Sequence, residues 1–133
     1  MAKILTSDIG TYIVSKGLAT ALATDVFIDT MPDKPDLCIA VHEYPGVPSQ
    51  VASADDRSIQ IEVRGATYEA ARSKIWAIYK AFHDPESDVC EIWISTTRWG
   101  VFRPRQTPFK LMEDDEKRVY FVFNMGVVTH RDE

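Results

Sequence analysis

The sequence predicts an α+β fold: a mostly antiparallel sheet of about five to six strands with two helices packed on one face, in one domain spanning residues 1–133. Three observations lead there. Period-two segments dominate the chain, the clearest being Ile59, Ile61 and Val63 alternating with Gln60, Glu62 and Arg64. Only two stretches place apolar residues at helical spacing. Turn-forming residues join most neighbouring segments closely, which favours antiparallel pairing.

The elements follow in order. Leu5, Ile9, Tyr12 and Ile13 recur at helical spacing, with Ser7 or Asp8 as the expected cap and an end near Ala21. Val26 to Asp29 reads as a short strand and Leu37 to Glu43 as a second. The turn Met31–Asp36, rich in proline and aspartate, should join them as a hairpin. Tyr44 to Asp56 reads as a long polar loop, of the kind ordered by a neighbour or partner. After the Ile59–Val63 strand, Gly65 breaks the ladder and Thr67 can cap a second helix. Its stripe is Tyr68, Ala71, Ile75, Ile78, Tyr79 and Phe82, and Pro85 stops it. Glu91 to Trp99 alternates again. Gly100 to Pro108 reads as a basic loop with Arg98, Arg103 and Arg105 around it, then come a short strand near Phe109–Met112, an acidic turn and a last strand, Arg118–Val128.

That last strand is apolar on both faces. Val119, Phe121, Phe123 and Met125 share one side and are expected to meet the helices. Tyr120, Val122, Asn124 and Gly126 share the other, a candidate contact surface whose cover is either a neighbouring copy or the subunit itself.

Composition narrows the function. Charged residues make up 26% and hydrophobic ones 45%, a globular balance. The net charge of −5 opposes nucleic-acid binding driven by overall charge. Asp8, Lys16 and Asp25 interrupt the N-terminal apolar residues, so no signal peptide is expected, and no apolar run is long enough to span a bilayer. Cys38 and Cys90 stand apart with no metal-ligand or CxxC spacing, as buried thiols in a reducing compartment do. No phosphate-cradling glycine motif and no nucleophile elbow is present. His42, His83 and His130 are scattered, and His42 and Glu43, adjacent on a strand, point to opposite faces. Asp33 with Asp36, or Asp114 with Asp115, reads as a solvated turn rather than a cation site. No catalytic residue, metal ligand or cofactor is therefore assigned. The arginine set Arg98, Arg103 and Arg105 suits docking to an acidic protein surface better than stacking on bases beside Trp93 and Trp99.

Three segments resemble the bacteriophage minor capsid proteins of the tail-terminator, or tail-completion, type: MPDKPDLCIAVHEYPGVPSQ, SIQIEVRGATYEAARSKIWAIYKAF and PFKLMEDDEKRVYFVFNMGV. The shared marks are Pro35 and Asp36 before a strand ending in Glu43-Tyr44 with Pro45 and Gly46. Val63 and Arg64 then close a strand, Tyr68 and Ala71 open a helix, and Pro108, Leu111, Asp114, Asp115, Arg118 and Asn124 follow in order. The chain departs from the pattern with Met112 and Lys117 about the acidic turn, where glycines are usual. The resemblance implies a non-enzymatic virion protein, built in the host cytoplasm. Its copies would form a hexameric ring at the head-proximal end of a phage tail. The implied partners are the chain itself, the tail-tube protein and a head-completion or connector protein. DNA would only pass through the ring, and no membrane is involved. Tyr120, Val122 and Asn124 are the expected oligomer contacts, and Arg98, Arg103, Arg105, Tyr44, Pro45 and Gly46 the expected docking residues. The rival readings are a soluble adaptor that binds protein or nucleic acid through the Arg98–Arg105 loop, and a small hydrolase using Asp33, Asp36, His42 and Glu43.

Overall fold

The computed structural model describes residues 4–47, 54–130 and 132. The elements run α1 (Leu5–Ser15), β1 (Val26–Ile28), β2 (Cys38–Val47), β3 (Ala54–Gly65), α2 (Tyr68–Ala81), β4 (Cys90–Trp93), β5 (Trp99–Pro104), β6 (Phe109–Glu113) and β7 (Val119–His130). The strands form one sheet in the order β1-β2-β3-β7-β5-β4, and β6 also pairs with β7. The class is α+β with both helices against one face, and the strand number is seven rather than five to six. The extra strand comes from the Glu91–Trp99 segment and the expected basic loop. These fold as β4 and β5, an antiparallel pair in which Cys90 faces Phe102 and Trp93 faces Trp99.

Alternation decides which side is core. Ile39 and Val41 on β2, Ile59, Ile61 and Val63 on β3, and Phe121, Phe123 and Met125 on β7 lie in register on one face. Leu5, Ile9 and Ile13 of α1 and Ala71, Ile75 and Ile78 of α2 join them in a single buried cluster. Phe82 links the layers: its ring centroid lies 5.3 Å from that of Tyr12 and 5.2 Å from that of Phe102, within the range of favourable aromatic packing.

Three expectations change. The β1–β2 pair is parallel, not a hairpin, with Val26 facing Ile39 and Ile28 facing Val41. The intervening turn does not reverse onto itself because its carbonyls are drawn elsewhere. Arg64 donates to the carbonyls of Asp33, Pro35 and Asp36, and Arg118 donates to that of Asp33. Helix α1 begins earlier than Ser7: its N-cap is Ile4, which makes no side-chain cap bond, and its last residue is Ser15, well short of Ala21. Thr67 does cap α2, its Oγ1 accepting from the Ala70 amide at 3.2 Å. Finally, most of the expected Tyr44–Asp56 loop is strand. Pairing continues to Val47↔Asp56 through a bulge after Tyr44. Gly46 sits in that bulge, where a Cβ would come within 2.1 Å of the Asp56 carbonyl oxygen, so the backbones approach as only glycine allows. The centre of the expected loop, residues 48–53, lies outside the described residues, and so does the expectation that a partner orders it.

Candidate assembly surface

Among the described residues, the second face of the sheet carries no helix. It presents Cys38, Ala40, His42 and Tyr44 from β2, Arg64, Glu62, Gln60 and Ser58 from β3, and Tyr120, Val122, Asn124, Gly126 and Val128 from β7. Its cover is local and polar. At one end the 31–36 turn is strapped down by Arg64 and Arg118. The Arg64 guanidinium lies 5.9 Å over the Tyr120 ring, a cation–π distance. Arg118 donates from Nε to Asp114 Oδ2 at 2.8 Å and pairs with Asp33 at 3.2 Å. The turn aspartates are thus arginine partners. Among the described residues, no group of three His, Cys, Asp or Glu side chains could hold a metal ion. Beneath the strap, Cys38 and Ala40 are buried. Cys38 and Cys90 are free thiols whose pKa values burial raises.

The middle of the face holds His42 between two carboxylates. His42 Nε2 lies 2.9 Å from Glu62 Oε1, and Asp29 approaches Nδ1 at 3.5 Å. The Glu62 hydrogen bond, working against desolvation, raises the His42 pKa. The sequence sets the adjacent His42–Glu43 pair aside and does not reveal this partner, which sits on the neighbouring strand two residues from Gln60, the residue in direct register with His42. Beside it, Gln60 donates to Asn124 Oδ1, and the Tyr120 hydroxyl donates to Asp114. Val122 is 0% exposed within the subunit, in register with Glu62 and Phe109. Val122 therefore offers no surface to a neighbour, and the expectation of a direct contact there is withdrawn. Tyr120 and Asn124 are only half-buried.

The expected docking residues divide. Arg98 is 1% exposed. Its Nε donates to Asp8 at 2.7 Å, its Nη2 to Asp132 at 2.8 Å and its Nη1 to the His130 carbonyl at 3.0 Å. Asp132 also pairs with Arg57 at 2.9 Å, and Arg57 grips Glu43 through Nε and Nη2. Arg98 is thus the buried hub of an ion network, not a docking group; being always charged, it had to find partners once folding covered it. Sequence spacing could not show this, because Asp8 and Asp132 come from opposite ends of the chain.

Arg103, Arg105, Tyr44, Pro45 and Gly46 are exposed. The structure brings four of them together. Pro45, Gly46, Arg103 and Arg105 line a cleft of about 350 Å³ at the β7 C-terminal end of the second face, with Ser58, Val101 and Val128 among the other walls. Gly126 makes the cleft: a Cβ there would stand 3.1 Å from Arg105 Nη2, so the guanidinium lies flat over the strand. Arg105 Nη1 donates to Ser58 at 3.2 Å.

The cleft is mixed in polarity, with two guanidiniums, a carboxylate and valine side chains among its described lining residues. A profile of the family described as "Bacteriophage tail terminator protein" matches residues 8–130. The chain belongs to the bacteriophage tail terminator family. Among solved structures with the same fold, a chain of one described as "Virion of native gene transfer agent (GTA) particle" aligns with a TM-score of 0.63 at 11% identity, covering 96% of this terminator and 95% of that chain. No curated protein sequence matches the terminator. As a member of this family it is a structural tail protein and a virion component. No helix of its described residues is long and apolar enough to cross a membrane.

Proposed function

We propose that this tail terminator acts as a homo-oligomeric ring, hexameric in its assembled form, that closes the head-proximal end of the tail tube and offers its outer rim to a head-side partner. The observation that carries the reading is the second sheet face. Both helices are used on the first face, and the second ends in an exposed cleft of mixed charge and apolar character. A surface of that kind is suited to a protein neighbour rather than to a reaction. The family match over residues 8–130 supplies the context, a phage tail. In this reading Tyr44, Pro45, Gly46, Tyr120 and Asn124 lie at or near subunit contacts, the tail-tube protein binds one rim, and DNA passes through the lumen. No chemistry is required of the chain.

The reading is tested by deleting the gene from its phage. Tails of irregular length and unjoined heads are expected, both restored by the wild-type chain in trans. Normal particles from the deletion would overturn it. The purified chain should also form rings visible by negative-stain electron microscopy.

A further inference from the structure

The ring reading leaves open how one subunit recognises the next. Two features at opposite ends of β7 bear on this. At its C-terminal end lies the Arg103–Arg105 cleft, whose wall includes Val101 and the 40%-exposed Val128. Among its described lining residues, Asp56 is the one carboxylate against two guanidiniums, a positive balance. At the N-terminal end stands the β6–β7 hairpin. All five residues of β6 are exposed, three of them large and apolar: Phe109 at 41%, Leu111 at 50% and Met112 at 45%. The hairpin's tip carries Glu113, Asp115 and Glu116, all exposed.

We infer that the β6–β7 hairpin of one copy docks into the Arg103–Arg105 cleft of the next, its apolar flank against Val101 and Val128 and its acidic tip toward the two arginines. This deepens the ring reading and rests on it. The two patches are complementary, and they lie too far apart to meet within one subunit. By register, Phe109 and Met112 lie on the same sheet face as Gly126 and Val128. Along β7, however, the two ends are separated by roughly 25 Å at about 3.3 Å per residue. The tip therefore cannot reach its own cleft. Two unlike patches that match each other but cannot meet within one molecule make a head-to-tail contact, and such contacts propagate into rings when the rotation closes. The exposed β6 strand also needs such cover, since a free apolar edge strand otherwise invites indiscriminate pairing. The charges set the register and suppress wrong partners, while the apolar flank carries the affinity.

The test uses the full chain and its reversals. Arg103→Glu with Arg105→Glu gives one variant, and Glu113→Lys with Asp115→Lys gives the other. Both sets of residues are exposed, and circular dichroism should show both variants folded with melting temperatures near that of the wild type. By light scattering, the wild type should assemble, and each variant alone should fall to the 15.1 kDa mass of one chain. An equimolar mixture should recover assembly, because each variant's cleft then opposes the other's tip. Variants that assemble as well as the wild type, or a mixture that stays monomeric, would overturn the docking pair while leaving the ring intact. A wild-type chain that is monomeric at every concentration would remove the ring and the docking pair together.

Discussion

At the scale of single residues, the structure assigns arginines to two different tasks that composition cannot separate. Arg98 and Arg103 are five positions apart, yet one is buried among carboxylates and the other stands in water. Arg98→Met should therefore cost about 3 kcal/mol, because it removes the arginine that pairs the largely covered Asp8 carboxylate and takes from Asp132 one of its two arginine partners. Arg103→Met should stay within about 0.5 kcal/mol, as exposed changes do. Urea midpoints of the two variants decide this, and equal midpoints would contradict it. His42 provides a second test. Its pKa is raised above the ordinary 6.5 by the Glu62 hydrogen bond, so the ionised ring stabilises the fold fully below pH 6.5. That contribution fades as the pH climbs through the raised value. The stability difference between the wild type and His42→Gln should accordingly shrink from pH 6 to pH 9, and a difference that grows with pH would refute the pairing. Neither partner was legible in sequence. Glu62 lies on another strand, and Asp8 and Asp132 meet Arg98 only through tertiary folding.

At the scale of elements, periodicity read well wherever one face of a segment is core. The β3 alternation, the α2 stripe and the odd-numbered face of β7 appear in the structure on the sides the pattern assigns them. Phe123→Lys should consequently cost about 4 kcal/mol, since the charge and the lost ring both fall in the closed layer between sheet and helices. Val122→Lys needs a different expectation from the one periodicity suggests. Val122 is buried too, but on the helix-free face and directly opposite Glu62. A lysine there can bend toward solvent and pair with that carboxylate, so the cost should be no more than about 2 kcal/mol. Chemical denaturation of both variants checks the ranking. Sequence reasoning failed where an element's course is set from outside it. The Met31–Asp36 turn looks like a hairpin turn by composition, and becomes a parallel crossover because Arg64 and Arg118 take its carbonyls. Gly100–Pro108 looks like a basic loop, and its first half joins Trp99 in a strand because β4 and β7 offer open edges on both sides of it. The candidate surface suffered likewise. Its exposed members, Arg103, Arg105, Pro45 and Gly46, were recognisable as polar punctuation, but their convergence on one cleft depends on the β2–β3–β7–β5 order.

At the scale of the whole molecule, the Asp132 contacts carry a consequence for connectivity. The Leu5 amide at the start of α1 donates to Asp132 Oδ1 at 3.0 Å, doing for that helix what a local cap would do, and Arg98 draws Asp8 and Asp132 together from the other side. Residues separated by nearly the full length of the chain are thus spatial neighbours, and the order of elements is closed into a loop in all but the covalent sense. A protein built this way can tolerate being opened at an exposed turn instead. Joining the segments beyond Leu5 and Asp132 with a short flexible linker, and opening the chain instead at the exposed Asp115–Glu116 peptide, should yield a circular permutant with the same circular-dichroism spectrum. It should also lose the continuous acidic tip that the neighbouring copy's cleft is inferred to grip. Folding and assembly would then be separated by a change of connectivity alone, without altering one side chain of the fold.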